Sequence, residues 1–143
     1  MPVVGFSLEK ISIEKQNPIT GQVKVKNNVS VKSVEEKELS LGNTNKQGLK
    51  FNFEFSIDYD PKVGNMSLKG HLLYIEDEKK VKDILKNWKK DKKIANEIMV
   101  ELINTILLRC TVKTLTFAQE VNLPPHLPLP RVNQKTDTSN YIG

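Results

Sequence analysis

The run LKFNFEFSIDY, from Leu49 to Tyr59, constrains this chain more than any other stretch. Leu49, Phe51, Phe53, Phe55, Ile57 and Tyr59 alternate with Lys50, Asn52, Glu54, Ser56 and Asp58. Successive side chains of a strand point to opposite faces, so a period of two gathers these apolar groups on one face. A helix would scatter the same groups around its circumference. The run predicts a half-buried strand with one solvated face, and such a strand needs neighbours and a cover.

Neighbours are legible on both sides. Val23, Val25, Val29 and Val31 repeat the alternation, with Lys24, Lys26 and Ser30 opposite. Met66, Leu68, Leu72 and Tyr74 make the apolar face of a further strand, with Leu73 and Ile75 adding apolar groups to its other face. The run from Val3 to Ile13 changes phase, from even positions (Val4, Phe6, Leu8) to odd ones (Ile11, Ile13), which predicts a bulge near Glu9 and Lys10. NPITG (Asn17 to Gly21) and DPKVGN (Asp60 to Asn65) have the composition of tight turns, and GNTNKQG (Gly42 to Gly48) reads as a longer loop. Sequential hairpins predict a four-stranded antiparallel meander with one apolar face.

The second half supplies the cover. Val81, Ile84, Leu85 and Trp88 are spaced for a short amphipathic helix, with Asp77 placed to cap its start and lysines on its outer face. WKKDKK reads as a polar hinge. A longer helix is expected over about residues 93–119. Ile94, Ile98, Leu102, Ile106 and Arg109 fall on one stripe. Met99, Ile103, Leu107 and Cys110 lie beside it, and Val100 and Leu108 widen the arc. One side of so apolar a helix can cover the sheet; the other calls for a second partner, most simply another copy of the chain. The β-branched stretch TVKTLTF leaves its C-terminal end open. Pro124, Pro125, Pro128 and Pro130 then impose an extended, polyproline-type path on NLPPHLPLP. The expectation is a single α+β domain over residues 1–133, a four-stranded sheet covered by a short and a long C-terminal helix, followed by a disordered polar tail, 134–143.

Several classes of chemistry find no support. Cys110 is the one cysteine, so neither an intrachain disulfide nor a cysteine zinc cluster can form. His71 and His126 lie far apart, and no Gly-rich phosphate loop, G-x-S-x-G or H-E-x-x-H is present. No catalytic residue, metal or cofactor is expected, and a binding protein is favoured over an enzyme. The apolar-rich run from Ile94 to Val112 is interrupted by Asn96, Glu97, Glu101, Asn104 and Arg109, which speaks against a membrane span of roughly 20 apolar residues. The N-terminus lacks signal-peptide organisation, and with a single thiol this leads us to expect the cytoplasm. The formal charge of +5 is concentrated in eight lysines between Lys79 and Lys93. Twenty of the twenty-two basic residues are lysine, whereas bidentate phosphate and base reading favours arginine.

The order of elements resembles that of the SecB-type protein-export chaperones. FSLEKISIEK is similar to that family's first strand, LKFNFEFSIDY to its third and MSLKGHLLYIED to its fourth. The run from Ile98 to Asn133 is similar to its long helix and following extended segment, with Leu123, Pro124 and Pro125 matching a short Leu/Pro motif. The resemblance covers roughly residues 4–133. It implies a homotetramer built as a dimer of dimers, packed through the long helices and sheet edges, that binds unfolded or precursor polypeptides without nucleotide. It implies client contacts at Phe51, Phe53, Phe55, Leu72, Tyr74 and Trp88, with Leu123, Leu127 and Leu129 from the exit segment. For the oligomer contacts of the long helix the candidates are Ile98, Leu102, Ile106 and Arg109.

Two departures bear on the partner. The family's outer sheet face is acidic and docks a translocation motor, but here Glu54 and Asp58 share that face with Lys24, Lys26 and Lys50. TDTSNYIG does not match the family's motor-docking tail. A general holdase, or a chaperone dedicated to one client, fits these departures better than export. The alternative from a different class is a basic nucleic-acid-binding module that uses Lys79, Lys80, Lys82, Lys86, Lys89, Lys90, Lys92 and Lys93. It predicts binding that weakens steeply with salt.

Overall fold

The computed structural model describes residues 3–38, 46–132, 134–135 and 138–142. Four strands come first: β1 (Val3–Lys15), β2 (Lys24–Lys37), β3 (Lys46–Asp60) and β4 (Gly64–Asp77). Two helices follow, α1 (Glu78–Asp91) and α2 (Asn96–Glu120), and a short 3-10 turn spans Ser139–Tyr141. The α+β class and the two covering helices agree with the expectation. Of the expected loop, residues 46–48 are the start of β3, and residues 42–45 lie outside the described residues.

All strand pairs are antiparallel, in the order β1-β4-β3-β2. The hairpin sequence expected of a meander therefore holds from β2 to β4 but not for β1, which lies on the far side of β4. The reason is long-range. The backbone amides of Gln16 and Asn17 both donate to the Val63 carbonyl, and the Asn17 amide group donates to the Lys62 carbonyl. NPITG is thus tied to the β3–β4 turn and carries the chain across the end of the sheet.

The alternation of β3 becomes its burial pattern. Leu49, Phe51, Phe55 and Ile57 are fully buried, and Phe53 and Tyr59 nearly so. Met66, Leu68, Leu72 and Tyr74 of β4 are buried with them. The bulge expected in β1 falls between Leu8 and Lys10. Beside it, Gly70 of β4 lets the two backbones approach so closely that a Cβ would run into the Ser7 carbonyl oxygen. A second bulge, between Val31 and Ser33, was not anticipated; it switches the phase of β2 and turns Val34 into the core.

Val81 and Ile84 of α1 are buried against the sheet, while Leu85 and Trp88 are half-buried. Asp77 occupies the N-cap position, but its side chain makes no capping hydrogen bond, contrary to expectation. Lys92 closes α1 in a left-handed conformation (φ 58°), its amide donating to the Trp88 carbonyl at 2.9 Å. The break delays α2 to Asn96. The helix then continues through the β-branched stretch, with Thr105, Thr114 and Thr116 hydroxyls donating to carbonyls four residues back. It stops by a Schellman arrangement: Asn122 is left-handed (φ 57°), the Asn122 amide donates to the Gln119 carbonyl and the Leu123 amide to the Ala118 carbonyl.

Candidate functional site

The buried line of α2 is Leu102, Ile106, Cys110, Thr114 and Ala118, each four residues from the last. A step of four residues gains about 40° on a helix of 3.6 residues per turn, so this line winds around α2. Its N-terminal half faces the sheet. Its C-terminal half faces the extended segment after Asn122, which we call the strip.

Three contacts pin the strip. Leu123 is buried, at 5% exposure. The Tyr59 hydroxyl donates to the Pro124 carbonyl at 2.7 Å. His126 is buried, its Nε2 lying 2.7 Å from Thr114 Oγ1. That hydroxyl donates to the Cys110 carbonyl at 2.9 Å, so it accepts from the ring, and Nε2 carries the proton. His126 Nδ1 is buried with no partner, and burial holds the imidazole below its ordinary pKa of 6.5. Burial also raises the Cys110 thiol to about 11 and the Tyr59 hydroxyl to about 12, which keeps both protonated.

Past His126 the strip is open. Leu127 and Leu129 are 40% and 49% exposed. Between the strip and α2 lies an apolar cleft of about 210 Å³, walled by Leu115, Ala118 and Leu123 and edged by Pro125 and Leu129. On its outward side α2 exposes Val100, Leu108 and Val112, with Asn104 among them. A third open region follows β1, where Phe6, Leu8 and Ile13 are half-buried and Ile11 is exposed.

The residues singled out in the sequence separate accordingly. Phe51, Phe53, Phe55, Leu72 and Tyr74 lie in the core of the single chain, and Leu123 is a buried pin. Of the client candidates, Trp88, Leu127 and Leu129 reach the surface; the Trp88 ring carries the Lys92 ammonium 5.4 Å from its centroid. Of the oligomer candidates, Leu102 and Ile106 are fully buried against the sheet, because the helix turns that stripe inward. Ile98 is half-buried at the hinge. Arg109 is exposed, its guanidinium 5.6 Å from the Phe6 ring, which stacks on Phe53. The lysines of α1 are exposed, with Lys80 and Lys82 paired to Glu76 and Glu78 at 3.8 and 3.2 Å. Periodicity missed Thr114, His126 and the Tyr59–Pro124 contact; the polar threonine inside an apolar helix was the available signal. No helix among the described residues is long and apolar enough to cross a membrane.

Among solved structures, the chain is similar to a SecB-like chaperone of Mycobacterium tuberculosis in complex with a ChAD peptide from the HigA1 antitoxin. The TM-score is 0.52 at 9% identity, covering 94% of this chain and 91% of that one. The likeness shows a shared fold. No protein-family model matches the chain, and no curated protein matches it.

Proposed function

We propose that this chain is an ATP-independent holdase, an oligomeric chaperone that shields non-native polypeptide from aggregation. The observation that carries the reading is apolar surface left open on a domain whose core is otherwise closed. Leu129 lines an apolar cleft and Leu127 is exposed two residues before it, and the prolines between and beside them limit the ordering entropy lost on binding. The likeness to a chaperone bound to a peptide supports the same reading.

In this proposal Trp88, Leu127 and Leu129 meet the client directly. Phe51, Phe53, Phe55, Leu72, Tyr74 and Leu123 act beneath them by fixing the sheet and the strip. Copies of the chain associate through the outward side of α2, with Val100, Leu108 and Val112 joining Ile98 and Arg109. Each contact is weak, and several on one oligomer reinforce one another through effective concentration. We place this activity in the cytoplasm, toward precursor polypeptides or one dedicated client, with no nucleotide step.

The test combines mass by light scattering with suppression of client aggregation. A tetramer near four times 16.3 kDa that slows aggregation of a denatured client is expected. Leu127→Ser with Leu129→Ser should abolish suppression while leaving the mass unchanged. Suppression should also survive high salt, unlike binding through the lysines of α1. A monomer that leaves aggregation unaltered sinks the reading.

A further inference from the structure

The formal charge of +5 has one address. From Glu78 to Lys93 lysines outnumber acidic residues eight to three, a surplus equal to that of the whole chain. The remaining residues balance to zero. On the sheet, charges of both signs are interleaved: Lys26 pairs with Asp60 at 3.7 Å, and Lys32 with Glu54 and Lys50 with Glu9 at 3.9 Å. The net positive charge therefore belongs to α1 and the hinge after it.

The helix sorts that charge onto one side. At about 100° per residue, Lys79, Lys82, Lys86, Lys89 and Lys90 fall within an arc of about 100°, and no acidic residue of α1 falls inside it. The arc lies opposite Val81 and Ile84, which are buried against the sheet, and all five lysines are exposed. They form a ridge about 16 Å long. Lys82 pairs with Glu78 at 3.2 Å, but the two side chains are 70% and 50% exposed, and such a pair is weak. Among the described residues no carboxylate pairs with Lys79, Lys86, Lys89 or Lys90. Lys82, Lys86 and Lys90 follow one another at four-residue steps, where like charges destabilise a helix. A polyanion laid on the ridge would remove that repulsion.

What the ridge lacks narrows the partner. α1 has no arginine, the residue that grips guanine and phosphate bidentately. Its one aromatic residue, Trp88, is half-buried on the sheet-facing side, so unpaired bases find no stacking platform. Its apolar side is already covered, so α1 cannot sink into a bilayer as an interfacial helix does. The phosphates of a base-paired helix call for none of these features. A DNA duplex carries one charge per about 1.7 Å of its length, dense enough to engage every lysine of the ridge. Its major groove is about 12 Å wide and admits an α-helix, whereas that of duplex RNA is narrow.

We infer that α1 is a docking ridge for double-stranded DNA, held through its phosphates without regard to base sequence. This is a further activity, independent of the holdase reading, and the ridge shares no residue with Leu127 and Leu129.

The test titrates a labelled DNA duplex of about 20 base pairs with the full chain, followed by fluorescence anisotropy from about 50 to about 200 mM salt. Five phosphate contacts give log K against log salt a slope of about −4.5, a loss of affinity of roughly 500-fold over that range. A duplex of unrelated sequence should bind within about twofold of the first. Lys82→Gln with Lys86→Gln and Lys89→Gln should flatten the slope to about −2. Lys10→Gln with Lys15→Gln and Lys69→Gln removes the same charge from β1 and β4 and should leave the slope unchanged. Amide shifts of the isotopically labelled wild-type chain, which need no variant to fold, should map the DNA to α1 and the hinge. Equal losses in the two triple variants, shifts centred elsewhere, or no binding at the lowest salt overturn the inference. Tighter binding of an RNA duplex of the same length, or of phosphatidylserine-containing vesicles at equal phosphate, overturns the assignment to DNA. Failure to suppress client aggregation while DNA still binds sinks the holdase reading alone.

Discussion

β3 and the strip both place apolar side chains at alternate positions, and they end in opposite states. The six apolar residues of β3 are between 0% and 2% exposed, whereas Leu123, Leu127 and Leu129 run from 5% to 40% to 49%. The difference lies in the backbone. β3 has hydrogen-bonded neighbours on both sides, β2 and β4, so its register is fixed and one face is delivered whole to the core. The prolines of the strip remove donors, and among the described residues of the strip the buried side chains, Leu123 and His126, both precede Leu127. Similar alternation thus yields a closed core where the ladder can form and an open apolar edge where it cannot.

The sharpest way to break this contrast is to empty the closed side. Phe55→Ala should destabilise the fold by about 3–5 kcal/mol in urea denaturation, because the surrounding ladder prevents collapse onto the cavity. A loss under about 1 kcal/mol would show that β3 is not the rigid member. Next in size is Gly70→Ala, expected to reduce stability by about 1–3 kcal/mol, since the Ser7 carbonyl it meets belongs to the β1–β4 ladder. Hydrogen exchange should then show β1 loosening before β3.

The pins of the strip are sensitive to pH. The folded chain holds His126 neutral and below its ordinary 6.5, so below that value the unfolded chain binds a proton that the folded one refuses. Stability from this group is complete above pH 6.5 and is lost as pH falls toward the lowered folded value. Thermal melts of wild type and His126→Gln between pH 7 and pH 5 should converge as pH drops. Glu9, whose pKa is lowered mainly by its hydrogen bond to His71, loses its contribution only below 4.5, outside that window. The smallest effect belongs to the open end. Leu127→Ser with Leu129→Ser should change stability by no more than about 0.5 kcal/mol. A loss of several times that amount would make the strip part of the core and dissolve the contrast.

What could be read from the sequence follows the range of the forces involved. The faces of β3 and β4 were legible because alternation is local and both strands are paired on two sides. The bulge in β1 was legible as a phase change, but that in β2 was not, since Val34 alone marks it. The place of β1 was not legible, because NPITG has the same composition whether it turns back or crosses over; the deciding bonds go to Lys62 and Val63, more than forty residues away. For α2 the periodicity identified stripes but not their partners. Leu102 and Ile106 read as surface for another copy, yet the helix turns them onto the sheet and leaves Val100, Leu108 and Val112 outside. Between β4, α1 and α2 lies a cavity of about 420 Å³ lined by residues of all three elements, which no local pattern encodes.

The hinge has one more consequence. Trp88 is the only tryptophan in the chain, it is half-buried, and it sits at the last turn of α1 under the Lys92 ammonium. The intrinsic indole fluorescence of the whole protein therefore originates at one point, next to the break between the helices. A red shift of that emission would signal α1 lifting from the sheet, independently of the tyrosines. The molecule carries its own optical gauge, placed where its two helices part.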